Sequence, residues 1–134
     1  MANTLYDLGR QAFLEADLDW TGQDMRVILI DTADYTFSQT HDFLNDVAAA
    51  ARVATSGALT GKTATNGVAD ADDVTFTAVT GDVSEALIIY QHTGTESTSR
   101  LVAYIDTATG LPVTPNGGNI TVAWDSGANR IFKL

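Results

Sequence analysis

The chain has no cysteine, two prolines and only seven lysines and arginines in 134 residues. Without cysteine there is no disulfide, no thiolate metal site and no cysteine nucleophile. Such a composition suits a chain made in a reducing cytosol. The seven basic residues are scattered singly against seventeen acidic ones, for a formal net charge of −10. A surface of that sign repels nucleic-acid phosphates and anionic lipid, and no basic stretch offsets it locally. Neither nucleic acid nor a membrane surface is expected as a partner. Long apolar runs are missing too. Residues 27–30 and 86–89 are far shorter than the roughly 20 residues that cross a bilayer. The opening Met-Ala-Asn-Thr-Leu-Tyr-Asp has neither a basic region nor an apolar run, so no secretory signal is expected. The expectation is a soluble chain.

What is present is an ordinary globular composition. The 45% apolar content is too high for a disordered chain. The length fits one domain, residues 1–134, with a core that needs no covalent staples. Most acidic residues are Asp, which favours turns and caps over helix interiors.

Residues 4–16 carry the one good helical pattern. Thr4 is placed as an N-cap and Asp7 lies three positions later, as in a capping box. Leu5, Leu8 and Ala12 fall on one stripe, which Phe13 broadens. Gly9 interrupts it and weakens the helix by about 1 kcal/mol relative to alanine. Beyond Trp20 the pattern changes to strands. Residues 25–30 form a β-branched apolar run of the kind covered on both faces, closed by Asp31. Thr40 is placed to cap a short helix over 41–47. Residues 53–65 alternate loosely, and Asn66-Gly67 supplies the two positive-φ residues of a type I′ hairpin. Residues 74–79, 85–91, 101–105, 120–124 and 131–134 complete the strand candidates. The longest loop, 107–119, holds both prolines and three glycines. The predicted fold is mainly β: an antiparallel β-sandwich or barrel with one N-terminal α-helix packed against it. The phrase Ile-Asp-Thr-Ala occurs at 30–33 and again at 105–108, and reads as a turn starting after a strand.

Several motifs resemble chemical sites without meeting their requirements. Residues 57–63, Gly-Ala-Leu-Thr-Gly-Lys-Thr, end like a phosphate-binding loop. Only three residues separate the glycines where four are required, and a strand pattern follows where a helix N-terminus should hold the phosphate. Lys62 then reads as a solvated strand or turn residue. Asp70, Asp72 and Asp73 are the densest carboxylate cluster. Calcium takes six to eight oxygens, and no glutamate follows at the needed spacing. A surface turn accounts for them, and calcium there would be adventitious. His41 and His92 form no HxH or HxxxH pair for a metal. No G-x-S-x-G elbow is present for a serine nucleophile. No catalytic residue, cofactor or metal site is expected. Asn119-Ile120-Thr121 fits a glycosylation sequon and reads as strand entry.

The order of phrases along the chain says more than any one motif. Ala12-Phe13-Leu14 leads to Asp19-Trp20, and residues 26–31 lead to Asp34-Tyr35. Thr40-His41-Asp42-Phe43-Leu44, residues 58–63 and Asp70-Ala71-Asp72-Asp73-Val74 follow. Residues 86–90, 101–106, 117–119 and 120–124 come next, before a short Ile131-Phe132 ending. Over nearly its whole length the chain resembles a family of small virion proteins encoded among the structural genes of tailed bacteriophages. The resemblance implies a non-enzymatic particle component assembled in the host cytoplasm, foremost a capsid decoration or cement protein. Its partners would be the major capsid protein lattice or other virion proteins, with the chain itself a homo-oligomer on the particle. A tail, baseplate or fibre-attachment component is the alternative reading. A carbohydrate-binding β-sandwich, with Trp20, Tyr35 and Phe37 stacking on sugars, is another. The contact residues expected for a partner are Trp20, Tyr35, Phe37 and His41; the competing reading makes these aromatics core.

Overall fold

The computed structural model describes residues 3–134. In chain order its elements are β1 (Thr4–Leu5), α1 (Asp7–Leu14), β2 (Met25–Ile30), β3 (Arg52–Thr55) and β4 (Val68–Ala69). They continue with β5 (Val74–Phe76), β6 (Ala86–Gln91), β7 (Leu101–Ile105), β8 (Ile120–Val122) and β9 (Phe132–Lys133). The fold is mainly β with one α-helix. Its centre is a five-stranded antiparallel sheet in the order β1-β7-β6-β2-β3.

The apolar runs of β2, β6 and β7 explain that centre. Side chains alternate across a strand, and in these three strands both sets are apolar. Val27, Leu29, Leu87, Ile89 and Ile105 point to one core, and Ile28, Ile30, Ile88, Tyr90 and Tyr104 to another. Two layers cover the two faces. The first core is closed by α1 and by two small sheets, β4-β9 and β5-β8, through Ala69, Val74, Phe76 and Phe132. The second is closed by the chain between β2 and β3, through Tyr35, Leu44, Val47 and Ala51. The five-stranded sheet keeps two edges, β1 and β3, so the layers form a sandwich and not a closed barrel.

Local signals gave way where pairing partners from elsewhere in the chain competed. Thr4 and Leu5 do not start the helix. They pair with Tyr104 and Ala103 as an edge strand, and the helix begins at Asp7 after Tyr6, with no side-chain cap. Residues 41–47 contain a single 3₁₀ turn, Leu44–Asp46, in place of an α-helix. The strand expected over 53–65 stops at Thr55. Asn66 and Gly67 have positive φ as expected. Their turn is closed by an antiparallel bridge in which Thr63 and Asp70 exchange backbone hydrogen bonds of 3.0 Å. This connection is wider than a two-residue hairpin, and β4 itself pairs with the C-terminal β9. The repeated Ile-Asp-Thr-Ala closes β2 and β7, which lie on either side of β6. The Asp31 carboxylate accepts the Ala33 N–H at 2.9 Å, the expected turn, whereas the Asp106 N–H donates to the Asn3 side chain at 3.0 Å. Asn119 precedes β8, so the sequon is strand entry.

Gly9 has a specific place in this packing. Between β6 and β7 the register shifts at Ile89/Tyr90, and α1 lies against β7 there. A Cβ on Gly9 would stand 2.7 Å from the Leu101 carbonyl oxygen and 3.3 Å from that of Val102. Close approach of helix to strand requires the missing side chain.

Candidate functional site

Of the four expected contact residues, the fold brings three together. Tyr35, Phe37 and His41 lie on the 31–51 segment that covers the second core. Their rings meet Tyr6 and Tyr104: Phe37 stacks on Tyr104 with centroids 4.5 Å apart, and Tyr35 lies 5.5 Å from His41. Hydroxyl groups tie the cluster. The Tyr6 and Tyr35 hydroxyls share a hydrogen bond of 2.9 Å, and the Tyr35 hydroxyl bonds His41 Nδ1 at 2.8 Å. Tyr6 is fully buried and Tyr35 is 4% exposed. Burial raises the pKa of both phenols, with the neighbouring tyrosine raising Tyr6 further; Tyr35 is pushed up to about 12. Only Phe37 and His41, each half-buried, present area to a partner.

Trp20 lies apart from this cluster, in the first core. It is 5% exposed, packs edge-on against Phe132 at 5.3 Å, and its indole N–H donates to the Asp70 carbonyl at 3.1 Å. Trp20 and Tyr35 are thus core residues, withdrawn from any contact surface and from sugar stacking. Their hydrogen-bond partners Asp70 and Tyr6, 50 and 29 positions away in the chain, left no sequence signal.

The covering segment is pinned by Arg52 at the start of β3. Its guanidinium donates to the Leu44 carbonyl at 3.0 Å, to the Val47 carbonyl at 2.6 Å and to the Glu96 carboxylate at 2.7 Å. One edge-strand cation thereby fixes the 44–47 turn and the 93–99 turn. On the same side the Arg100 guanidinium lies 4.3 Å from the centre of the Phe43 ring.

The carboxylates clustered in sequence do not converge in space. Asp70 lies 3.9 Å from Arg130. Asp72 accepts the Thr60 hydroxyl at 3.0 Å, and Asp73 accepts the Trp124 N–H at 3.0 Å. Each has its own structural partner. The carboxylates that do converge are Asp31, Asp34 and Asp82, whose ligand atoms lie within 4.8 Å of one another. They supply three of the six to eight oxygens that calcium takes, and Asp34 and Asp82 are exposed. Asp82 is remote from the other two in sequence, so no spacing rule finds this group. Lys62, expected to be solvated, is half-buried and donates to the Gln23 carbonyl.

No known protein family and no curated protein matches this chain.

A concavity lies on the first-core face. There the 107–113 loop, β8 and the 123–131 segment border a cavity of about 790 Å³. None of its lining residues belongs to the Tyr35 cluster. Among the described residues, no helix is long and apolar enough to cross a membrane.

Proposed function

We propose that the chain is a non-enzymatic structural protein of a tailed-bacteriophage particle, a decoration or cement protein bound to the outside of the major capsid protein lattice. The supporting observation is where the family-like phrases fall. Ala12 and Phe13 pack into the first core, residues 86–90 form the central strand, and 26–31 and 101–106 form the strands on either side of it. Thr40–Leu44 lies in the segment over the second core, and 120–124 builds the outer layer and its anchored Trp124. The phrases on which the reading rests are spread over the helix, the strands and the loops between them.

A sheet covered on both faces makes a stiff module that meets partners through its edges and loops. Several weak contacts made at once to neighbouring lattice subunits give avidity without strong single contacts. Binding to the assembled lattice in preference to free subunits stabilises it by linkage. The charge of −10 keeps such a module from being drawn to the packaged genome. Phe37 and His41 are the residues assigned to the contact.

Cosedimentation of the purified chain with assembled shells, with free capsid subunits and with tails tests the reading. The expected result is saturable binding to shells at a fixed ratio, weakened by Phe37→Ser. Binding to tails alone would replace decoration by a tail role, and binding to none of the three would overturn a particle role.

A further inference from the structure

The cavity on the first-core face has a floor built from the central sheet itself, Leu29, Leu87 and Ile105, one residue from each of β2, β6 and β7. At about 790 Å³ it lies in the roughly 300–1,000 Å³ range of small-ligand sites.

Trp124 lines its wall and is held at two points. The main-chain N–H donates to the Asp73 carboxylate at 3.0 Å, and the indole N–H donates to the Asp72 carbonyl at 3.0 Å. The first bond fixes the backbone that carries the ring, and the ring cannot swing away without breaking the second. Its one polar atom is already engaged, so what it offers the cavity is carbon surface.

The polar lining has a different character. Asp125 brings an acceptor carboxylate and Arg130 a forked donor. Asn119 accepts the Ala78 N–H through Oδ1 at 3.1 Å, which leaves its amide N–H groups for the cavity. Arg130 holds a positive φ of 45°, a strained backbone for a residue with a side chain.

These features select a ligand class. Arg130 already pairs with Asp70 at 3.9 Å, and Asp125 adds a second carboxylate to the lining, so the site has no net positive charge. A phosphate or other anion would meet a carboxylate for each cation. A purely apolar ligand would cover the Asp125 and Arg130 head groups without replacing their hydrogen bonds with water. A fixed aromatic carbon surface beside donors and acceptors with no net positive charge fits a ligand with an apolar face and a fringe of hydroxyls. We infer that this cavity binds a short neutral oligosaccharide, with Trp124 as the stacking ring and Asp125, Arg130 and Asn119 as the hydroxyl partners. Binding here is independent of whether the chain sits on a particle, and it assigns the sugar contact to Trp124 in place of Trp20, Tyr35 and Phe37.

The test is NMR titration of the ¹⁵N-labelled chain with maltotriose, cellotriose and chitotriose, following both indole N–H signals. At least one sugar is expected to shift the Trp124 signal saturably while Trp20 stays still. The Kd expected of one stacked ring and a few hydrogen bonds is about 0.1–10 mM. Trp124→Ala deletes that probe, so its binding is followed at the backbone amides of Asn119 and Arg130, whose saturable shifts in the parent chain should be abolished. Asp125→Ala, at an exposed position, should weaken binding about tenfold while the rest of the spectrum is retained. No saturable shift of Trp124 with any of the three, or binding that survives both substitutions, would overturn the assignment. Particle binding without sugar binding would remove this site alone, and sugar binding without particle binding would remove only the particle role.

Discussion

Gly9 stands so close to Leu101 that a methyl group on it would lie 2.7 Å from the carbonyl oxygen of β7. That oxygen belongs to a strand hydrogen-bonded into the sheet, so it cannot yield as a flexible side chain would. Two effects therefore oppose each other at this position. Alanine improves the helix by about 1 kcal/mol, and overpacking against backbone costs about 1–3 kcal/mol.

Gly9→Ala is expected to destabilise the chain despite its better helix propensity. The measurement is urea denaturation. Unchanged or raised stability would mean that α1 does not rest on β7 as described.

The Tyr6–Tyr35–His41 chain gives an ordering. Tyr6→Phe leaves the Tyr35 hydroxyl still bonded to His41, a loss of about 0.5–1.5 kcal/mol. Tyr35→Phe strands the fully buried Tyr6 hydroxyl, a loss of about 1–3 kcal/mol. Tyr35→Phe should be the worse single change, and adding Tyr6→Phe to it should recover part of the loss. Additive effects in a double-mutant cycle would contradict the shared hydrogen bond.

All four tyrosines have pKa values raised, with burial as the first cause at each of Tyr6, Tyr35, Tyr90 and Tyr104. The unfolded chain ionises its phenols near pH 10, so the folded state binds these protons more tightly. The stabilisation from neutral phenols is complete below about pH 10. It is lost as pH rises through the folded values, about 12 for Tyr35. Phenolate absorbance should therefore lag behind that of free tyrosine and rise with the cooperative loss of circular dichroism. Four phenols titrating near pH 10 with the fold intact would contradict the packing.

Arg52 and Glu96 separate a buried role from an exposed one. Arg52→Lys keeps the charge but loses the fork that reaches two carbonyls at once, and should cost about 1–3 kcal/mol. Glu96→Gln touches only the exposed end of the same contact and should barely change stability. Thermal unfolding of the two variants checks this. Equal effects would show that the ion pair, not the carbonyl contacts, holds the covering segment.

The sequence revealed most where burial was one-dimensional. β2, β6 and β7 were legible because a strand covered on both faces must be apolar at consecutive positions. Positive φ at Asn66-Gly67 was legible because few other residues accept it. Elements decided by distant partners were misread. Thr4 has the chemistry of an N-cap, yet its backbone is taken by Tyr104. Gly9 reads as a flaw in a helix until β7 is placed beneath it. At the surface, Tyr35 and Trp20 looked like contact residues because nothing in a loop sequence announces a hydroxyl partner at Tyr6 or a carbonyl at Asp70. The Trp124 cavity is assembled from four strands and the loops on either side of β8, so no contiguous stretch encodes it.

Electron cryomicroscopy of intact particles containing this chain is the most direct test of its proposed role. The expected image shows many ordered copies at symmetric positions outside the capsid lattice, with the Phe37–His41 side against major capsid subunits. Particles that carry the chain only at the tail, or do not carry it at all, would contradict a decoration role.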